Sequence, residues 1–179
     1  MIRLIINLVA FNAAWFGCVM GGAWGVVWLG PAAAAAVVAL QLLIQPGWRA
    51  ELVLAVSVAV FGFALDSALV AAGAFSPKRV LLPAPFTALW LVMLWMSFAT
   101  ILNVSIRRFQ GHWVLAALFG AAGGPAAYYS GSRLGALELG QPVWRSLLLL
   151  AIGWAAAVPL LLWLARALRH RLAPREAQG

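Results

Sequence analysis

Residues 51–73 read ELVLAVSVAVFGFALDSALVAAG, and this stretch decides how the chain folds. About 20 mostly apolar residues span the roughly 30 Å hydrocarbon core of a bilayer as a helix, so the run has the length of one membrane crossing. Asp66 is the only charge between Glu51 and Lys78. A carboxylate exposed to lipid costs several kcal/mol, which predicts that Asp66 faces protein and marks a functional site. Ala55, Ala59, Gly62, Val70 and Gly73 share its face at helical spacing, and nearly all are small enough to let another helix come close.

Outward from this run the whole chain has the same character. Of its 179 residues, 65% are hydrophobic and only 9% charged, with a mean hydropathy of +1.00, which is not the composition of a water-soluble domain. Charges, prolines and glycines divide it into apolar runs near residues 4–22, 30–45, 51–73, 86–106, 113–134 and 143–165. The expected fold is therefore all-α, a polytopic bundle of six transmembrane helices forming one domain over residues 1–169, followed by a mobile tail at 170–179. The second run is the shortest, between Gly30-Pro31 and Pro46-Gly47, and a five-helix arrangement is the alternative.

Charge predicts the orientation. Arg3, Arg49, Arg107, Arg108, Arg166, Arg169, Arg171 and Arg175 fall on one side, against Lys78, Arg79, Arg133 and Arg145 on the other. Cytoplasmic segments retain positive charge, so both termini are expected in the cytoplasm. The net charge of +8 then reads as a topology signal and an attraction to anionic headgroups, not as a nucleic-acid surface. Most of the ten Trp residues fall near run ends as interfacial anchors, while Trp15, Trp95 and Trp154 lie deeper, where an indole N–H needs an acceptor. Met1 to Gly22 reads as the first helix, not a cleaved leader. Cys18, the single cysteine, implies no internal disulfide. Residues 1–75 and 86–165 show no convincing inverted repeat.

Beside Asp66, the fifth run carries GAAGGPAAYYSGSRLG at residues 120–135. Gly123, Gly124 and Pro125 predict a kink, because proline removes a backbone donor, and two G-x-x-x-G pairs predict close packing. Tyr128 is expected at the depth of Asp66, with Ser130 and Arg133 beyond it. The fourth run places Ser97, Thr100, Asn103 and Arg107 on one side, and Asn103 is expected to pair with Asn12 of the first run at the inner end. These positions give an expected ligand pocket of Asp66, Trp90, Tyr128, Ser130 and Arg133, and an inner polar cluster of Asn12, Thr100, Asn103 and Arg107.

No HExxH, G-x-S-x-G, Walker or dinucleotide motif occurs, and the two histidines, His112 and His170, stand at helix ends. No metal site and no cofactor are expected, and an enzyme is less expected than a binding protein. The segments AWFGCVMGGAWG (14–25), FALDSALVAAG (63–73), LWMSFATILNVS (94–105) and GAAGGPAAYYSGSRLG, taken in this order, resemble the bacterial membrane family known as domain of unknown function 2878. That resemblance extends from about Asn7 to Leu164. It implies a bacterial inner-membrane protein without an assigned activity, and it points to Asp66, Asn103 and the Gly-Gly-Pro segment as site elements. The leading functional expectation is a small permease-like or substrate-binding component with an outward-facing polar pocket, in which Asp66→Asn abolishes ligand binding. A protein of membrane-lipid metabolism and a non-catalytic scaffold are the alternatives. Expected partners are the phospholipid bilayer and another membrane protein or a second copy of the chain, with no nucleic acid.

Overall fold

A computed structural model describes residues 2–45 and 47–172. Six helices make up most of it: α1 (Ile2–Trp24), α2 (Leu29–Ile44), α3 (Trp48–Ala71), α4 (Leu89–Leu102), α5 (Trp113–Arg133) and α6 (Val143–Leu172). Two three-residue strands, β1 (Phe75–Pro77) and β2 (Leu137–Leu139), pair antiparallel at one end of the bundle. By length and composition α1, α3 and α6 can each cross a membrane, whereas α2 and α4 are apolar but shorter. Bulky side chains point outward all along the helices, with Val60, Leu118, Ile152 and Trp163 each more than half exposed. Such a surface is stable only with hydrocarbon as its solvent, so this is a membrane protein.

Several helix ends differ from the expected ones. The fourth helix covers 89–102 in place of 86–106. Thr87 N–H is taken by Ser67 Oγ before the helix begins, and after Leu102 the chain tightens, with Val104 and Ile106 N–H both returning to the Ile101 carbonyl. Asn103 and Arg107 therefore do not continue the helical stripe of Ser97 and Thr100; Asn103 caps α4 and Arg107 starts a 3-10 turn, Arg107–Phe109. At the other extreme α6 does not stop near residue 165. His170, Arg171 and Leu172, expected in a mobile tail, are helical, and Arg169, His170 and Arg171 in the last turn complement the negative end of the helix dipole. Residues 173–179 lie outside the described residues.

The early end of α4 has a structural use. Thr100 carbonyl accepts from Asn7 Nδ2 at 3.0 Å and from Gln41 Nε2 at 3.3 Å, while Asn7 Nδ2 also reaches Gln41 Oε1 and Ser105 Oγ donates to Asn7 Oδ1 at 2.6 Å. Side chains from α1 and α2 thus satisfy a carbonyl that the helix terminus leaves free. This buried network takes the place of the expected Asn12–Asn103 pair. Asn12 bonds only the Leu8 carbonyl of its own helix, Thr100 Oγ1 turns back to Ser97, and Asn103 Nδ2 donates to Glu51 Oε1.

Helices pack as three hairpins, α1 on α2, α3 on α4 and α5 on α6, with α4 also held by α1 and α2, and α3 held by α6. The second and third hairpins are copies of one plan. Asp66 and Tyr128, 62 residues apart, occupy the same place, and around them Leu54 matches Ala116, Val58 matches Gly120, Gly62 matches Gly124 and Leu69 matches Gly131, all buried. In the partner helices Leu91 matches Leu150, Trp95 matches Trp154 and Leu102 matches Leu161. Both first helices end in the same cap: Gly73 and Gly135 take positive φ, and the following Ala74 and Ala136 donate five residues back, to the Leu69 and Gly131 carbonyls. The strands that follow pair Ser76 with its own counterpart Glu138, and Phe75 with Leu139 as Leu137 pairs with Pro77. That register is what a two-fold relation along the bundle requires, and it makes the repeat parallel, not inverted.

Candidate functional site

Asp66 sits at the centre of this relation with no exposed surface. It accepts hydrogen bonds from Trp95 Nε1 at 2.9 Å and from Tyr128 OH at 2.5 Å, so one carboxyl ties α3 to α4 and α5. Each tie depends on a glycine one turn away. A Cβ on Gly62 would overlap the Trp95 indole, and one on Gly124 would overlap Trp154. Relieved of those atoms, Trp95 and Trp154 stack with centroids 4.4 Å apart and an interplanar angle of 18°. Offset aromatic pairs contribute about 0.5–1.5 kcal/mol beyond their area. Trp154 Nε1 is buried without an acceptor among the described residues, so the indole held by the stack has an unmatched donor.

Next to this centre lies a cavity of about 320 Å³ between α1, α4 and α5, with Trp154 of α6 behind it. Trp15 and Phe16 line it from α1, Leu94 and Phe98 from α4, and Phe119, Gly123, Ala127 and Gly131 from α5. It is an apolar, aromatic hollow, which corrects the expected polar pocket. Asp66 does not reach its surface, because Trp95 and Tyr128 form the wall in front of it. A single buried acid between close-packed helices is satisfied by its donors and needs no water-filled space beside it.

The other expected site residues separate. Tyr128 and Trp90 line the cavity, but Trp90 Nε1 donates to the Lys78 carbonyl at 3.0 Å and presents only its ring. Ser130 and Arg133 are exposed and do not line it. The glycines of the expected kink divide their roles. α5 runs unbroken through Pro125, Gly124 packs on Trp154, and Gly123 borders the cavity with no atom within 4 Å of where its Cβ would be. Among the described residues no group of three metal-ligating side chains occurs.

The duplicated plan explains why a cavity exists here. On the α3 copy, Phe61, Leu65 and Leu69 form one face, and Leu65 and Leu69 fill the space above Gly153 of α6, 3.4 and 3.7 Å from its absent Cβ. The counterparts on α5 are Gly123, Ala127 and Gly131, facing the Leu94 that corresponds to Gly153. Three large side chains have become two hydrogens and a methyl. The seam that α3 and α6 close is therefore open between α4 and α5, and its aromatic walls remain. Sequence alone singled out Trp95, Trp154 and the glycines individually; the signal that joins them is the 62-residue spacing of Asp66 and Tyr128.

The family described as a protein of unknown function, DUF2878, matches residues 4–160. No curated protein and no solved structure matches the chain.

Proposed function

The chain belongs to the DUF2878 family of proteins of unknown function, and on that premise we propose that it binds the hydrocarbon chain of a membrane lipid in the aromatic cavity between α1, α4 and α5. One observation carries this reading. The lining of the cavity includes Phe16 (53% exposed) and Phe119 (40% exposed), both on the lipid-facing surface away from the helix ends, which supports an opening toward acyl chains. An apolar hollow of this kind recognises shape and dispersion contact, which suits an acyl or isoprenoid chain, and with Asn12 among its few polar lining groups it gives a hydrated solute few hydrogen bonds. The lipid reading therefore gains over the polar-pocket permease.

Gly123→Leu is the sharpest test, because its new side chain enters the cavity and meets no atom at Cβ. Native mass spectrometry of protein purified in mild detergent is expected to show a retained lipid on the wild type and at least a tenfold lower occupancy on Gly123→Leu, with both proteins unfolding at similar temperatures. Equal lipid retention by the two proteins contradicts the proposal.

The Arg and Lys distribution supports both termini on the cytoplasmic side of a bacterial inner membrane, with β1 and β2 on the outer side. Cys18 is buried, so a Glu138→Cys protein carries one accessible thiol among the described residues. A membrane-impermeant maleimide is expected to label it in intact spheroplasts, and labelling only in inverted vesicles reverses the orientation.

A further inference from the structure

At the opposite end of the bundle from the strands, a second hollow of about 350 Å³ is lined by Arg107, Gln110, Arg166, Arg169 and His170. We infer that this is a binding site for a phosphate group, held by the guanidiniums of Arg107, Arg166 and Arg169. The inference is independent of the apolar cavity.

Three observations support it. First, the lining contains basic or amide side chains only, and none of its arginines has a carboxylate within 4 Å among the described residues, Glu51 acting on Arg169 only from beyond that distance, while the one ion pair joins Lys78 to Glu138 at the far end. Second, Arg169 is oriented and not merely present. Its Nη2 donates to Gln110 Oε1 at 2.9 Å and its Nη1 approaches Asn103 Oδ1 at 3.5 Å, while Asn103 in turn holds Glu51 Oε1 at 2.9 Å. The relay draws on α3, the α4 cap, the 3-10 turn and α6, and it engages Glu51 through Asn103. Third, the concavity brings three like charges together, an arrangement whose repulsion an oxyanion relieves. A tetrahedral phosphate fits the fork geometry of guanidinium, and planar donors from two elements can grip separate oxygens. An arginine patch that only sets topology or complements the α6 dipole needs neither an oriented guanidinium nor a hollow.

Because the site stands at a helix end, its phosphate can belong to a lipid headgroup or to a soluble ester. Protein in maltoside micelles is titrated with inorganic phosphate and pyrophosphate, and protein in phosphatidylcholine nanodiscs is titrated with phosphatidic acid, binding being read by calorimetry and native mass spectrometry. Saturable binding is expected in at least one arm, weakened tenfold or more by Arg107→Gln and by Arg166→Gln. Arg108→Gln, exposed in the same turn but outside the hollow, is expected to leave it unchanged. Response in the nanodisc arm alone assigns the phosphate to a lipid, and response to the soluble anions assigns it to a solute. No saturable binding in either arm, or an equal loss with Arg108→Gln, overturns the inference.

Discussion

Asp66→Leu is expected to unfold the protein far more readily than Asp66→Asn. The leucine leaves Trp95 Nε1 and Tyr128 OH without their acceptor in a dry interior, and each orphaned donor costs about 1–3 kcal/mol, so a loss of about 2–6 kcal/mol follows. The asparagine keeps an oxygen for the indole and an amide that can donate to the tyrosine oxygen, which limits its cost to about 1 kcal/mol. Thermal unfolding in detergent, followed by near-ultraviolet circular dichroism, separates the two variants. Lipid retention is expected to survive in Asp66→Asn, since the carboxyl stands behind the cavity wall. If Asp66→Leu unfolds within a degree of the wild type, the carboxyl does not hold the three helices together.

The second large effect distinguishes two adjacent glycines. Gly124→Ala places a methyl inside the Trp154 indole, and any shift of that ring breaks its stack on Trp95, so overpacking costs about 1–3 kcal/mol. Gly62→Ala is expected to act alike against Trp95. Gly123→Ala, one residue away, adds its methyl to open space and gains the helix preference of alanine, about 0.5–1 kcal/mol. The order of stability is thus Gly123→Ala above wild type and wild type above Gly124→Ala. A Gly124→Ala protein as stable as wild type contradicts the interlocked glycine–tryptophan pairs on which the two hairpins rest.

Much of this architecture is legible in the residues. Apolar runs broken by glycine, proline and arginine give six helices, and a lone acid among small residues gives a buried Asp66. What the sequence conceals is the kind of space beside that acid. Charge in a membrane interior signals that a group is partnered, but it does not say whether the partners are water and ligand or, as here, an indole and a phenol. The ends of α4 are hidden for a related reason, because side chains of Ser67, Asn7 and Gln41 satisfy the backbone at Thr87 before the helix starts and at Thr100 where it stops, and these come from elsewhere in the chain. Asn7 and Gln41 do carry a signal, each being a buried amide in an otherwise apolar run, as Asp66 is a buried acid.

The duplication is concealed by its chemistry. Identity survives at Gly62 and Gly124, Trp95 and Trp154, Gly73 and Gly135, and Ala74 and Ala136, while at the central position an acid in one copy faces a phenol in the other. Such a pair joins a two-oxygen acceptor to a donor, so that one carboxyl serves both Trp95 and Tyr128, whereas two carboxylates would repel. The two hairpins differ at Phe61, Leu65 and Leu69, where the counterparts Gly123, Ala127 and Gly131 leave the cavity open. The proposed binding site therefore lies where the two hairpins differ, and the matching positions supply the frame.

A structure of the protein in lipid nanodiscs, determined by electron microscopy with a bound fragment to add mass, decides whether a lipid chain occupies the cavity between α1, α4 and α5. Elongated density is expected to enter between Phe16 and Phe119 and run along Gly123, Ala127 and Gly131 in contact with the Trp95 and Trp154 rings. Helices α1 and α5 closed on each other with no density between them, or ordered water filling the space, would contradict it.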